Sequence, residues 1–125
     1  MIRLMDANCR LGRGPADREG SVQGKVALLS LMDDFNVEKA VVFGTAAQYS
    51  DPALGNELLT RETEGCGRFL RQWAVMPALW ELYPSPDEWL QQMKAASVCS
   101  ARLFPKQYGH SLRRYAAGEL LDALA

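Results

Sequence analysis

Histidine is almost missing from this chain: there is one in 125 residues, His110. The multi-histidine ligand sets on which many zinc sites depend are therefore out of reach. Cysteine is scarce as well. Cys9, Cys66 and Cys99 are odd in number, far apart and without a CxxC pair, which argues against a disulfide framework or a zinc knuckle. Free thiols in a reducing compartment fit better. Net charge is -1, from 14 basic and 15 acidic residues, so no long-range field draws in nucleic acid or an anionic membrane. Arg10, Arg13 and Arg18 cluster locally, as do Arg113 and Arg114, and solvated loops account for both groups. No apolar run approaches the ~20 residues that a bilayer span needs. Arg3, Asp6 and Arg10 interrupt the stretch where a secretory leader would have its apolar core. Neither GxGxxG nor GxxxxGK[ST] occurs, and Gly44-Thr45 alone gives a nucleotide site little support. The expectation is a cytoplasmic protein with no nucleic-acid and no membrane partner.

What is present is a core. Hydrophobic residues make up 48% of the chain, near the globular average, and the length suits one domain over residues 1–125. Met1 to Gly12 reads as a first strand. Ile2, Leu4, Asp6, Asn8 and Arg10 share one parity; Arg3, Met5, Ala7, Cys9 and Leu11 share the other. After a loop over Arg13–Gly20, Leu28, Leu31, Met32 and Phe35 mark one face of a helix from about Val22 to Phe35, with Asn36 as its stop. Glu38–Gly44 is an apolar strand covered on both faces, followed by a loop from Gly44 to Gln48. Asp51-Pro52 starts a helix running to about Glu64, with a stripe of Leu54, Leu58 and Leu59. A third strand lies within Arg68–Pro77. Ser85 and Glu88 form a capping box ahead of a helix whose inner face is Trp89, Leu90, Met93 and Ala96. Val98–Phe104 is a fourth strand, Lys106–Ser111 a loop, and from about Leu112 a last helix carries Ala117, Leu120, Leu121 and Leu124. Strand and helix alternate four times in units of about thirty residues, the arrangement of parallel strands joined by right-handed crossovers.

The segments DANCRLG, LLSLMDDFNVEKAVVFGTA, DPALGNELL, RLFPKQYG and GELLDALA together resemble the N-terminal half of the amidohydrolase-related, metal-dependent hydrolases of the type-2 amidohydrolase branch. The resemblance spreads over nearly the whole chain and rests on order and local wording more than on one diagnostic motif. It implies an α/β fold of four parallel βα units, half of a (β/α)8 TIM-type barrel, completed by a missing C-terminal half or by self-association as a homo-oligomer. It also implies hydrolysis, or a related decarboxylation, of a small organic substrate at the barrel mouth. The family's first strand carries D-x-H-x-H, whose histidines bind a divalent metal. Here Asn8 and Arg10 stand at those positions. An amide oxygen is a poor replacement for imidazole, and a guanidinium has no lone pair to give. No metal site and no cofactor are expected, and the chain alone is expected to be inactive.

The substrate-binding candidates are Asp6, Asn8, Arg10, Arg102 and Lys106. Asp6 matches the family's leading aspartate, and a catalytic role stands beside that of orienting the strand end or pairing with Arg10. Arg10 could clamp a carboxylate or phosphate with its fork, against the plainer reading of an internal ion pair. Arg102 shares a parity with Ser100 and Phe104 and could hold an anionic substrate or simply neutralise Asp6. Lys106 follows the fourth strand, where some relatives place a carboxylated lysine; solvent exposure is its plainer reading. His110 could be a general base or a lone metal ligand, against the plainer reading of a loop histidine that is neither. Cys9 reads as a small buried hydrophobe, and Trp73, Trp80 and Trp89 as packing. Two further readings stay open. One is a non-catalytic binding or scaffold half-barrel. The other is a flavodoxin-like domain with helices on both sides of an open sheet.

Overall fold

The computed structural model describes residues 2–77 and 85–125. Trp80 lies outside them. Four strands form one parallel sheet in the order β1 (Leu4–Leu11), β2 (Val37–Gly44), β3 (Phe69–Ala74), β4 (Val98–Arg102). The order has no reversal, so the switch point of a doubly wound sheet is missing and the flavodoxin-like reading fails. The sheet is open: β1 and β4 are its two edges.

The helices are α1 (Lys25–Asp34), α2 (Thr45–Tyr49), α3 (Pro52–Glu62), α4 (Pro86–Ala95), α5 (Pro105–Tyr108) and α6 (Arg114–Leu124). The expected starts are present at two of them. The Asp51 carboxylate accepts the Leu54 N–H at 2.7 Å, with Pro52 at the first helical position. The Ser85 hydroxyl accepts the Glu88 N–H at 3.2 Å ahead of Pro86. Asn36 takes the left-handed conformation that ends α1 (φ 55°), and Ser97 does the same after α4 (φ 54°). Two segments expected as loops are short helices, α2 and α5. Both are too short for hydrophobic periodicity to show them.

One core cluster joins Leu28 and Met32 of α1, Leu59 of α3, Trp89 and Met93 of α4, and Leu120 of α6 to Leu11, Ala40, Val42, Phe69, Trp73 and Val75 of the sheet region. The sheet residues alternate, so these four helices lie on one face and the other face is free of them. Arg71, on the helix side, ties two helix ends together. It donates to the Thr63 hydroxyl at 2.7 Å, just past α3, and to the Ala96 carbonyl at 2.5 Å, just past α4. A cation at helix C-termini is favourable on dipole grounds as well. Asn56 in α3 is buried and grips β3. It donates to the Ala74 carbonyl at 2.7 Å and accepts the Ala74 N–H at 2.8 Å.

The apolar stripes are wider than the layer that covers them. In α1, Leu28 and Met32 are buried, but Leu31, and Phe35 just past the helix, are exposed. In α3, Leu59 is buried while Leu54 and Leu58 are exposed; in α6, Leu120 is buried and Leu121 exposed.

Candidate functional site

In barrel and doubly wound α/β folds, chemistry sits at the C-terminal ends of the strands. The free face of the sheet therefore carries the candidate site here, and its make-up depends on register. Strict alternation would put Asp6, Asn8 and Arg10 side by side on this face. The strand pairing does not allow it. Asp6 pairs with Ala40 and Cys9 with Val42, so three steps along β1 match two along β2, and a bulge lies between Asp6 and Cys9. Ala40 and Val42 both belong to the core, which puts Asp6 on the helix side with Cys9. Arg10 pairs with Phe43, off the core side. The expected shared face of the three residues is thereby corrected.

Asp6 sits in the bulge, its carboxylate accepting the Asn8 N–H at 2.9 Å. Burial pushes the Cys9 thiol up from 9.0 to about 12, with the hydrogen bond and negative charge of Asp6 adding to it. A thiol so protonated is a packing group, as expected, and not a nucleophile. Asp6 does not pair with Arg10 or Arg102. Arg10 instead forms an ion pair with Asp17, whose side chain is only 2% exposed and also accepts the Gly14 N–H at 2.6 Å. Asp17 lay in what reads in the sequence as a plain solvated loop. The internal ion pair expected for Arg10 is present, with this different partner.

Arg102, at the end of β4, is the centre of the free face. Its guanidinium carbon lies 4.1 Å from the centroid of the Phe43 ring and 5.5 Å from that of Phe104. The guanidinium donates to the Gln72 side-chain carbonyl at 3.1 Å, and the Gln72 amide donates to the Ser100 hydroxyl at 3.1 Å. Partial burial lowers the Arg102 pKa from its ordinary value, which leaves the group charged. Among the described residues, no carboxylate forms a salt bridge with it. Phe104 packs on Phe43 at a centroid distance of 5.6 Å and on Tyr108 at 6.2 Å. The Tyr108 hydroxyl donates to the Ala47 carbonyl, and burial, with the charge of Asp51 nearby, holds its pKa above the usual value. The short helices α2 and α5 are thus linked over the strand ends.

Lys106 is exposed on α5 and lines a shallow hollow of about 670 Å³ with Gln48, Phe104 and Gln107. His110 makes only a long contact, 3.4 Å from Nδ1 to the Ser111 carbonyl, and its Nε2 finds no hydrogen-bond partner among the described residues. The Thr45 hydroxyl donates to the Gly12 carbonyl at 2.9 Å and is buried, so Gly44-Thr45 ties β1 to α2. Trp73 and Trp89 are core residues, as expected.

Of the five candidates, Arg10 and Arg102 share the free face, with Phe43 pairing with the first and stacking under the second. Asp6 and Asn8 occupy the bulge, and Lys106 stands apart on α5. Phe43, Gln72 and Tyr108 are site residues that the sequence did not announce. Gln72 left one trace, a polar side chain amid the apolar run of a central strand. The residues present do not fit the metal of the resembled family. Arg10 offers no lone pair and is bound to Asp17, and the described residues hold no group of three His, Cys, Asp or Glu able to grip an ion. What the face can do is recognise an anion. A planar guanidinium is oriented by an amide and two rings, with donor positions left over. Comparison with protein-family models, curated proteins and solved structures finds no match to this chain.

Proposed function

We propose that this chain is half of a (β/α)8 barrel of the amidohydrolase-related kind, whose free face binds a small organic acid. The observation that carries the reading is Arg102: a charged guanidinium, held by Gln72 and Phe43, with no carboxylate partner among the described residues. A carboxylate meets its fork with two hydrogen bonds, and Phe43 and Phe104 offer ring faces to the apolar body of the acid. The barrel reading is supported by the unreversed parallel order and by the packing of α1, α3, α4 and α6 on one side. Hydrolysis or decarboxylation of the bound acid belongs to a completed barrel. Arg10 and Asn8, standing where the resembled family has imidazoles, favour binding without metal chemistry in this half, and hence a non-catalytic role as the second reading.

Calorimetric titration with benzoate and benzamide tests this. Benzoate is expected to bind with a Kd of about 1 mM or tighter, benzamide far more weakly, and Arg102→Met to weaken benzoate about tenfold or more. Equal binding of both compounds, or benzoate binding unchanged by Arg102→Met, overturns it.

A further inference from the structure

The free face carries two guanidiniums near the strand ends, and the fold treats them differently. Arg10 of β1 pairs in the sheet with Phe43 of β2, and Arg102 of β4 lies over the ring of that same Phe43. One aromatic residue therefore borders both. Among the described residues, Arg102 forms no salt bridge with a carboxylate. Arg10 does, and the loop after β1 is arranged to supply it. The Gly12 N–H donates to the Gln23 carbonyl at 2.6 Å and closes the loop at its base. Within the loop, one oxygen of Asp17 accepts from Arg10 Nη2 and the other accepts the Gly14 N–H at 2.6 Å. Gly14 is buried against Arg10, and a Cβ there would strike Nη1. The Asp17 side chain is only 2% exposed, and a carboxylate so far out of water needs its cation. The Arg10 side chain stays 36% exposed, within reach of a bound molecule.

We infer that Asp17 sets the class of acid the free face accepts. By cancelling the charge of Arg10 it leaves Arg102 as the face's one net cation, so the face takes monocarboxylic acids and gains nothing from a second carboxylate. The inference rests on the reading of Arg102 as the acid-binding group and adds the charge of the acid to it. A second carboxylate on a ligand held at Arg102 and reaching past Phe43 finds Arg10 already neutralised. Arg13 and Arg18 of the same loop, and Lys106 of α5, are exposed, where an ion pair adds little. Removing the charge at residue 17 while keeping its shape frees the Arg10 guanidinium for a second carboxylate and makes the face a site for dicarboxylic acids.

The test is calorimetric titration of the wild type and Asp17→Asn with benzoate, isophthalate, terephthalate and biphenyl dicarboxylate, diacids of increasing span. The Nε–Hε resonances of Arg10 and Arg102 are followed alongside. In the wild type, no diacid is expected to bind tighter than benzoate, and Arg102 alone shifts. In Asp17→Asn, at least one diacid is expected to bind about tenfold or more tighter than benzoate, with Arg10 shifting as well. Arg10→Met added to Asp17→Asn is expected to abolish that gain. Asp17→Ser is a second variant with the same expectation. A wild type that binds a diacid about tenfold tighter than benzoate with Arg10 shifting overturns the inference. So does a folded Asp17 variant that prefers no diacid, and so does failure of both variants to fold, which makes Asp17 a structural tie. Absence of benzoate binding at Arg102 overturns the underlying reading as well, whereas the other results leave that reading standing.

Discussion

The guanidinium carbon of Arg102 stands 4.1 Å from the centre of the Phe43 ring, two strand spacings away on the face opposite α1, α3, α4 and α6. The two side chains hold each other in place, but they do not contribute equally to stability. Phe43 is buried, and Phe43→Ala is expected to cost about 3 kcal/mol. Arg102→Met keeps the apolar stem on the ring and leaves no buried carboxylate unpaired, so it is expected to cost no more than about 1 kcal/mol. Urea denaturation of both variants checks the contrast.

Asn56 satisfies both backbone groups of Ala74, at 2.7 Å and 2.8 Å, inside the core. Asn56→Leu leaves a buried donor and a buried acceptor without partners. The expected loss is about 3 kcal/mol or more, since each such group costs about 1–3 kcal/mol. A urea midpoint within experimental error of the wild type contradicts the assignment.

Glycines at 55 and 109 are constrained for different reasons. A Cβ at Gly55 would fall 2.1 Å from the Ala47 backbone nitrogen, where α2 rests on α3. Gly55→Ala is expected to destabilise by about 3 kcal/mol or to prevent folding, because backbone cannot retreat as a side-chain tip can. Gly109 has open space but a φ of 65°, and Gly109→Ala is expected to cost only about 1 kcal/mol. Thermal melts of the two variants separate the steric from the conformational penalty.

Cys9 and Cys99 should differ in reactivity. Cys99 is exposed, while the Cys9 thiol is pushed up to about 12. At pH 8, alkylation of Cys9 is expected to be slower than that of exposed Cys99 by about tenfold or more, because a raised pKa leaves less thiolate to react. The sign of the pH effect on stability follows. Between pH 9.0 and about 12, the folded chain retains a proton that the unfolded chain releases, so this contribution to stability falls as pH rises through that window. Mass spectrometry of the labelled peptides measures the first, and urea midpoints across the same pH range, with Cys9→Ala as the reference, measure the second.

Much of the fold was legible because local signals agreed with each other. The Asp51-Pro52 and Ser85-Pro86 starts, the Asn36 stop and four apolar runs were enough to place the βα units and their parallel order. The site was harder to read. A single bulged residue between Asp6 and Cys9 shifts the parity of β1, and neither residue type betrays it. The partner of Arg10, Asp17, sits in a glycine-rich loop whose course is set by tertiary contacts. Leu31 and Phe35 follow a helical face faithfully, yet both are exposed, so periodicity overstates their burial. The parity of Arg102 with Ser100 and Phe104 predicts the face on which it meets Gln72 and Phe43. Its anchors, Gln72 and Phe43, come from other strands and depend on register that no single segment encodes.

Arginine side-chain NMR decides most directly whether Arg102 is the anion-binding group of the free face. The Nε–Hε resonances of Arg10 and Arg102 would be followed while benzoate is added, each assigned by substitution. The expected result is a saturable shift of Arg102 with Arg10, already bound to Asp17, unmoved. A shift of Arg10 without Arg102, or no shift of either at saturating benzoate, contradicts it.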